Sequence, residues 1–316
     1  MALVNSVLGP IETSALGTTL AHEHLLVASG GISREFPDLL DAGYLDLIVD
    51  GLKKARAAGI NTVVDATTFD LGRDINVIAE ASRRSGVNVI ACTGWWLDKP
   101  RYLGGMSVDQ FAGVFVRDIE VGIAGTNIKA GVLKAASDIA GVTPEEEVIL
   151  RAVARAHHRT GVPIMLHSYA PGQVGRRQLD ILKAEGVNMR RVKLDHSNDT
   201  TDVEYLTWVL DQGCFLGLDR YPFLVTSTLA RTRTMKALMD AGYSDRLCPS
   251  HDWSLARVRA DGLLPLWSKA GREQMNPHLF CYIHNVVFPQ LREMGVSQAA
   301  ADRLLVNGIR NFFEGG

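Results

Sequence analysis

Thr143-Pro144-Glu145-Glu146 opens a stretch that closes on Thr160-Gly161-Val162-Pro163-Ile164-Met165-Leu166-His167-Ser168, and it reads as one helix followed by one strand. Thr143 can accept from the first free backbone N–H groups, Pro144 suits the first helical position, and the acids face the positive end of the helix. Gly161 suits the left-handed residue that ends a helix. Pro163–Ser168 is then a short apolar run of strand length.

The same alternation recurs on both sides. Strands are expected at Thr18–His24, Thr62–Ala66, Val87–Thr93, Ile128–Lys134, Pro163–Ser168, Val192–His196, Phe215–Asp219 and Leu247–Asp252. Between them, Tyr44–Ala58 carries Leu45, Ile48, Val49 and Leu52 on one helical face. Further helices are expected from near Asp74, Ser107, Gly175, Thr201 and Thr228, with a final pair from Pro277 and Ser297. Eight strand-helix units, with no Gly-rich phosphate loop after the first strand, predict a (β/α)8 barrel in one domain covering residues 1–316. A doubly wound open sheet is the alternative that strand counting leaves open.

Composition narrows the function. The 33 Lys+Arg and 35 Asp+Glu of the 316-residue chain leave a net charge of −2, so there is no basic footprint for nucleic acid. The 47% hydrophobic and 22% charged residues are those of a globular protein. Cys92, Cys214, Cys248 and Cys281 are far apart, which argues against a cysteine-based zinc site or a disulfide scaffold. The N-terminus lacks the basic and apolar pattern of a signal peptide, and no apolar run approaches the ~20 residues of a membrane span. A soluble, cytoplasmic protein acting on a small molecule, without nucleic-acid or membrane partners, is expected.

Chemistry in such barrels collects at the C-terminal strand ends. Those ends carry His22 and His24, Lys134, His167, His196 and Asp252. In His22-Glu23-His24 the alternation of a strand sends both imidazoles to one face and Glu23 to the other, and paired imidazoles suit a divalent transition metal. Lys134 ends an apolar strand, where an amine is costly unless paired or neutral. An ion pair is one reading; a carbamate formed with CO2, whose two oxygens serve two metals, is the other. His157, His158, His251, His278 and His284 are expected to be structural.

Six motifs complete the pattern: Leu20-Ala21-His22-Glu23-His24, Thr67-Thr68-Phe69-Asp70-Leu71-Gly72-Arg73-Asp74, Thr93-Gly94-Trp95-Trp96, Ile128-Lys129-Ala130-Gly131-Val132-Leu133-Lys134, His196-Ser197-Asn198-Asp199 and Ser250-His251-Asp252-Trp253. Together they resemble the phosphotriesterase family of the amidohydrolase superfamily, which includes the phosphotriesterase-like lactonases, from about Leu8 to Phe313. The resemblance implies two divalent metal ions, zinc foremost, with cobalt, manganese or iron also suited to the donors. His22, His24 and Asp252 would hold one and His167 and His196 the other, bridged by carboxylated Lys134 and a hydroxide. Asp252 would accept the proton. A homodimer is also implied.

Substrate class rests on fewer residues. Trp96 aligns with a tryptophan of the phosphotriesterases, and Phe69 is expected to share an apolar pocket with it. Arg220, in Gly217-Leu218-Asp219-Arg220, resembles the lactonases; phosphotriesterases tend to place there a histidine that relays a proton toward the acid matching Asp199. Arginine stays charged and cannot be that relay. It either pairs with Asp199 or orients substrate. The segment Trp253–Met275, with Leu263, Leu264 and Trp267, is expected to cover the pocket. The reading is a lactone or ester hydrolase with promiscuous phosphotriester hydrolysis. A dedicated phosphotriesterase (aryldialkylphosphatase) is the alternative, and a non-catalytic binding member of the fold is a further one.

Overall fold

The computed structural model describes residues 2–97, 104–223, 226–259 and 268–315. The chain starts with a short antiparallel hairpin, β1 (Leu3–Ser6) and β2 (Gly9–Glu12). Nine parallel-paired strands follow: β3 (Thr19–Val27), β4 (Thr62–Asp65), β5 (Asn88–Gly94), β6 (Val132–Ser137), β7 (Ile164–Ser168), β8 (Val192–Asp195), β9 (Phe215–Leu218), β10 (Leu247–Pro249) and β11 (Ser254–Arg257). Each of β3 to β9 pairs with its successor in sequence. β10 pairs with β9 and β11 pairs with β3, so these two pieces are one strand interrupted at residues 250–253. Across the interruption Asp252 N donates to His22 O at 3.1 Å and His24 N to Trp253 O at 2.9 Å. The eighth strand therefore touches both ends of the sheet, and the sheet closes into the (β/α)8 barrel.

The helix read first is present as Pro144–Thr160. Thr143 Oγ1 accepts from Glu146 N, the Glu146 side chain returns the bond to Thr143 N, and Gly161 ends the helix at φ 72°. Asp74, Ser107, Asp202 and Ser227 likewise accept from backbone N–H groups in the first turns of other helices, Ser107 with the reciprocal bond as well. No helix among the described residues is long and apolar enough to cross a membrane.

Three expectations differ from the structure. The fourth strand runs Val132–Ser137 rather than Ile128–Lys134, so Lys134 lies inside the strand and not at its end. Ala130-Gly131 lead into the strand by pairing with Asp118 O and Ala91 O. The final pair of helices is a longer series: Lys269–Met275, a helical run from Leu279 to Glu293, Gln298–Leu304 and Asn307–Glu314. The N-terminal hairpin was not expected, since two four-residue strands with Pro10 in one give little periodic signal.

Period-two alternation sorts the strand residues into two layers. Val63, Val89, Leu133, Leu166, Leu194 and Leu216 pack outward in the large core shared with the helices. Val64, Ile90, Val132, Met165, Phe215 and Cys248 form a second cluster with Ile309, Phe312 and Phe313 of the last helix. Phe312 meets Phe215 at 5.8 Å there. β8 breaks the pattern, because its alternate residues Lys193 and Asp195 are charged and wholly buried. Replacing Thr143 with alanine should lower stability by about 1 kcal/mol, the usual worth of such a cap, while Thr143→Ser retains most of it. Urea titration of both variants checks this.

Candidate metal centre

Four imidazoles converge at the C-terminal end of the barrel, and each uses one ring nitrogen to anchor itself. His22 Nδ1 lies 3.1 Å from both Asp195 Oδ2 and Asp219 Oδ2. His24 Nδ1 is 2.8 Å from Thr67 Oγ1, and His196 Nδ1 is 3.0 Å from Asp219 Oδ1. His167 Nε2 is 3.3 Å from Asp138 Oδ2. The other nitrogens turn inward. His22 Nε2 and His24 Nε2 come within 3.3 and 3.1 Å of Asp252 Oδ1, and His167 Nδ1 faces His196 Nε2 at 2.8 Å.

Lys134 brings its amine to the same place. Its Nζ donates to Ala66 O at 2.9 Å and lies 3.4 Å from His22 Nε2. Gly94, paired in register with Lys134, makes room for that strand: a Cβ built on Gly94 would sit 1.9 Å from Lys134 O, and its φ of 130° suits glycine. Asp252 occupies the interruption between β10 and β11 with φ 52°, so its carboxylate leaves the alternation of the strand and turns into the barrel. The sequence reading had placed it at a regular strand end; the left-handed turn is what aims it.

Electrostatics match this geometry. Burial lowers the pKa of His24, His167 and His196, which keeps them neutral with lone pairs to offer. Burial pulls His22 the same way, but Asp195, with Asp219 and Asp252, outweighs it and raises His22 to about 10. Burial pushes Asp252 up, yet Arg220, His196 and His22 hold it well below the usual carboxylate range. The centre thus favours positive charge at its heart. The donor set fits divalent metal: neutral imidazoles at His24, His167 and His196, a fourth ring at His22 where the surrounding carboxylates draw positive charge, and an ionised aspartate, the rings oriented by carboxylates and a hydroxyl. Ligand atoms of His22, His196 and Asp252 all fall within 4.8 Å of one another.

The centre opens into a cavity of about 260 Å³ lined by His24, Lys134, His167, His196 and Asp252 together with Trp96, Arg220, Phe223 and Trp253. Trp96 Nε1 lies 3.4 Å from His167 Nδ1, and its backbone N donates to Asp70 Oδ2 at 3.1 Å. Arg220 Nε is 2.9 Å from Asp252 Oδ2, and a terminal nitrogen is 3.5 Å from Asp199 Oδ2. Phe69 does not line this cavity; the residue is 46% exposed and its ring centre lies 5.7 Å from that of Trp95. The expected covering segment begins as strand β11, and its residues 260–267, with Leu263, Leu264 and Trp267, lie outside the described residues.

The phosphotriesterase family model matches residues 2–313. The chain belongs to the phosphotriesterase family. A phosphotriesterase homology protein of Mycobacterium tuberculosis is 37% identical over 99% of this chain and 98% of its own. An aryldialkylphosphatase of Saccharolobus solfataricus is 34% identical over 96% of each chain. An N-acetyltaurine hydrolase of Xenopus tropicalis is 26% identical over 98% of this chain and 97% of its own. Among its phosphotriesterase-family relatives, then, are hydrolases acting on more than one kind of bond.

Several residues that build this family member's centre went unread in the sequence. Glu23, pointing away from the two imidazoles as expected, accepts from Ser250 Oγ, His251 N and Trp253 N at 2.7, 2.9 and 3.1 Å, and pairs with His251 Nδ1 at 2.5 Å. It thereby fixes the turn that carries Asp252. Buried Arg231 donates to Asn198 O at 2.9 Å, Phe223 O at 2.7 Å and Asp199 Oδ1 at 2.7 Å, joining the loops after β8 and β9. Lys193 pairs with Asp195 directly below His22. Gly217 admits that aspartate, since a Cβ built there would lie 2.3 Å from Asp195 Oδ1. The period-two reading of Val192–His196 could have flagged Lys193 as a cation aimed into the barrel.

Lys193→Met leaves the Asp195 carboxylate buried without its cation, so a loss of about 3–5 kcal/mol is expected. Adding Asp195→Asn should return part of it. Urea melts of the single and double variants, with metal content per chain, read this out; equal stability of wild type and Lys193→Met would mean the pair does not carry the load assigned to it.

Proposed function

We propose that this chain is a metal-dependent hydrolase of lactones and related carboxylic esters that also hydrolyses phosphotriesters more slowly. The contact of Arg220 with Asp252 at 2.9 Å is the observation that carries the reading. His22, His24 and Asp252 would hold one divalent ion and His167 and His196 the other, with Lys134, carboxylated, between them. Two such ions, zinc foremost, would make water a nucleophile at neutral pH and polarise the oxygen of the bond under attack.

The chain's own groups handle the proton and the leaving group. Asp252 Oδ1 is turned to His22 and His24, and Oδ2, which also faces Arg220 Nε, would take the proton on its remaining lone pair as water adds to the carbonyl carbon. The ring C–O bond then breaks, and the alkoxide it releases stays tethered beside Asp252, which returns the proton. Arg220 keeps its charge throughout, as burial is outweighed by Asp252 and Asp199 and its pKa is raised. It therefore cannot ferry a proton outward, and none needs ferrying when the leaving group remains in the site. Arg220 instead keeps Asp252 ionised and offers N–H donors to a ring substituent. Trp96, Phe223 and Trp253 supply apolar walls that also accept an aryl leaving group, which supports slower turnover of aryl phosphotriesters.

The test is kcat/KM for an unactivated γ- or δ-lactone against a paraoxon-type triester on protein reconstituted with zinc and bicarbonate. A lactone preference of tenfold or more is expected, about 1.4 kcal/mol of differential transition-state binding. A triester preference of that size, unchanged in Arg220→His, would instead establish a dedicated phosphotriesterase. Asp252→Asn should lower kcat by roughly two orders of magnitude, and Lys134→Ala should lose at least one metal ion per chain with most activity. Short carboxylic acids should partly restore Lys134→Ala.

A further inference from the structure

His251 precedes Asp252 in the turn but faces Glu23 and the C-terminal helices, wholly buried. Its Nδ1 meets Glu23 Oε1, an oxygen that already accepts from Ser250 Oγ and the His251 backbone N–H, so Nδ1 is the donor. Its Nε2 lies 3.2 Å from Ile283 N, so Nε2 is the acceptor. The two contacts together specify the tautomer, with the proton on Nδ1 and a lone pair on Nε2. The ring also stacks on Phe280, with planes 12° apart and centroids 6.2 Å apart.

The chain leaves regular helix to make the second contact. In a regular helix the N–H of Ile283 would bond to the carbonyl four residues back, Leu279 O. Here the buried Asn276 donates its Nδ2 to Leu279 O at 3.1 Å, and the Ile283 N–H is turned to His251. Leu279 takes the left-handed conformation, φ 49°, and Ile283–Val287 winds as a π-helix before Phe288–Glu293 continues as α-helix. Such irregularities are unfavourable and collect where function requires them. On its other side the same run is joined to the helix Thr228–Asp240: Thr228 Oγ1 lies 3.1 Å from Tyr282 Oη, and Thr232 Oγ1 donates to Gln290 Oε1 at 2.8 Å. That helix carries Arg231, which bonds the backbone carbonyl of Arg220. The run from Leu279 to Glu293 therefore stands behind both members of the Arg220–Asp252 contact.

We propose that His251 is a positioning residue for the metal centre: its two ring nitrogens tie Glu23, and with it the turn that aims Asp252, to the helical run from Leu279 to Glu293. A rigid imidazole places a donor and an acceptor on different edges of one ring, whereas an amide side chain carries both on a single carbon. Asp252 is thereby set against the same run that braces Arg220, and its distance from His22 and His24 is fixed by more than the turn. This role rests on the reading of Asp252 as a metal ligand, and it can be measured without turnover.

Zinc affinity by chelator competition, and the visible spectrum of the cobalt-loaded full chain, test it. His251→Phe keeps a ring to stack on Phe280 but loses both bonds. Its zinc affinity should fall roughly tenfold or more, the scale of losing a group that orients a ligand, and its cobalt spectrum should change. His251→Asn can still donate toward Glu23, and His251→Gln can still accept from Ile283 N. Both should fall between His251→Phe and the wild type, whereas a packing role would be served best by phenylalanine. Wild-type affinity and spectrum in His251→Phe, or amide variants weaker than His251→Phe, would overturn the role. If His251→Phe does not fold, the amide variants carry the test, and wild-type zinc affinity in both would overturn it. Lactone and triester kinetics on the same preparations separate this role from the hydrolase reading. Zinc binding that depends on His251, with no turnover of either substrate, would remove the hydrolase reading and leave the positioning role standing. Lactone turnover and zinc affinity both unchanged in His251→Phe would do the reverse.

Discussion

The backbone bond from Asp252 N to His22 O does two things at once. It is part of the closure that turns an open parallel sheet into a barrel, and it joins the residues whose side chains meet at the candidate metal centre. A regular eighth strand would have closed the barrel equally well but would have kept Asp252 within the alternation of the strand. The interruption at residues 250–253 gives up regular pairing there, and Glu23 replaces the lost contacts by accepting from two backbone N–H groups and two side chains of the turn. Because Glu23 lies between His22 and His24, the strand that presents two imidazoles to the centre also fixes the turn that presents the aspartate. Buried donors without partners are costly, so this carboxylate is the condition on which the turn can exist.

The second constraint is charge. Asp195, Asp219 and Asp252 surround His22 in the buried interior of the barrel, and isolated anions there would be strongly unfavourable. Two cationic side chains answer them from different elements, Lys193 from β8 below and Arg220 from the loop after β9 beside, and the same carboxylates draw positive charge to the place of His22. The protein thus maintains a negative well with a positive collar, and the well coincides with the inward-facing nitrogens of four histidines. Such a field favours divalent cations over neutral occupants and explains why Asp195 and Asp219 are as deeply buried as the rings of His22 and His196 that they orient.

Arg231 links this field to the shape of the cavity. Wholly buried on the helix Thr228–Asp240, it bonds the carbonyls of Asn198 and Phe223 and the carboxylate of Asp199. Asn198 Oδ1 in turn accepts from Arg220 N at 3.0 Å. The loops after β8 and β9 are therefore held as one unit, and Arg220 is offered to the cavity from a rigid base. Precision of this kind matters to catalysis because small displacements of a positioning group cost rate steeply.

How much of this was legible in the sequence follows from the range over which each signal acts. The Thr143 cap, the Gly161 stop and the apolar run to Ser168 depend on neighbours a few residues away, so the alternation of strands and helices and the helix starts could be read directly, while closure into a barrel rather than an open sheet could not. The motifs around His22, His24, Lys134, His167, His196 and Asp252 marked the donors because those residue types on apolar strands have few inexpensive structural uses. What remained hidden depends on distant partners. Lys134 lies within β6 because Gly94 makes room for it, and Phe69 packs on Trp95 instead of lining the cavity. The meeting of Asp195 with His22 and the grip of Glu23 on residues 250–253 join elements up to about 230 residues apart. Local periodicity set which face each side chain takes; only closure of the barrel decided what stands opposite it, because a partner across the barrel leaves no periodic trace in the chain.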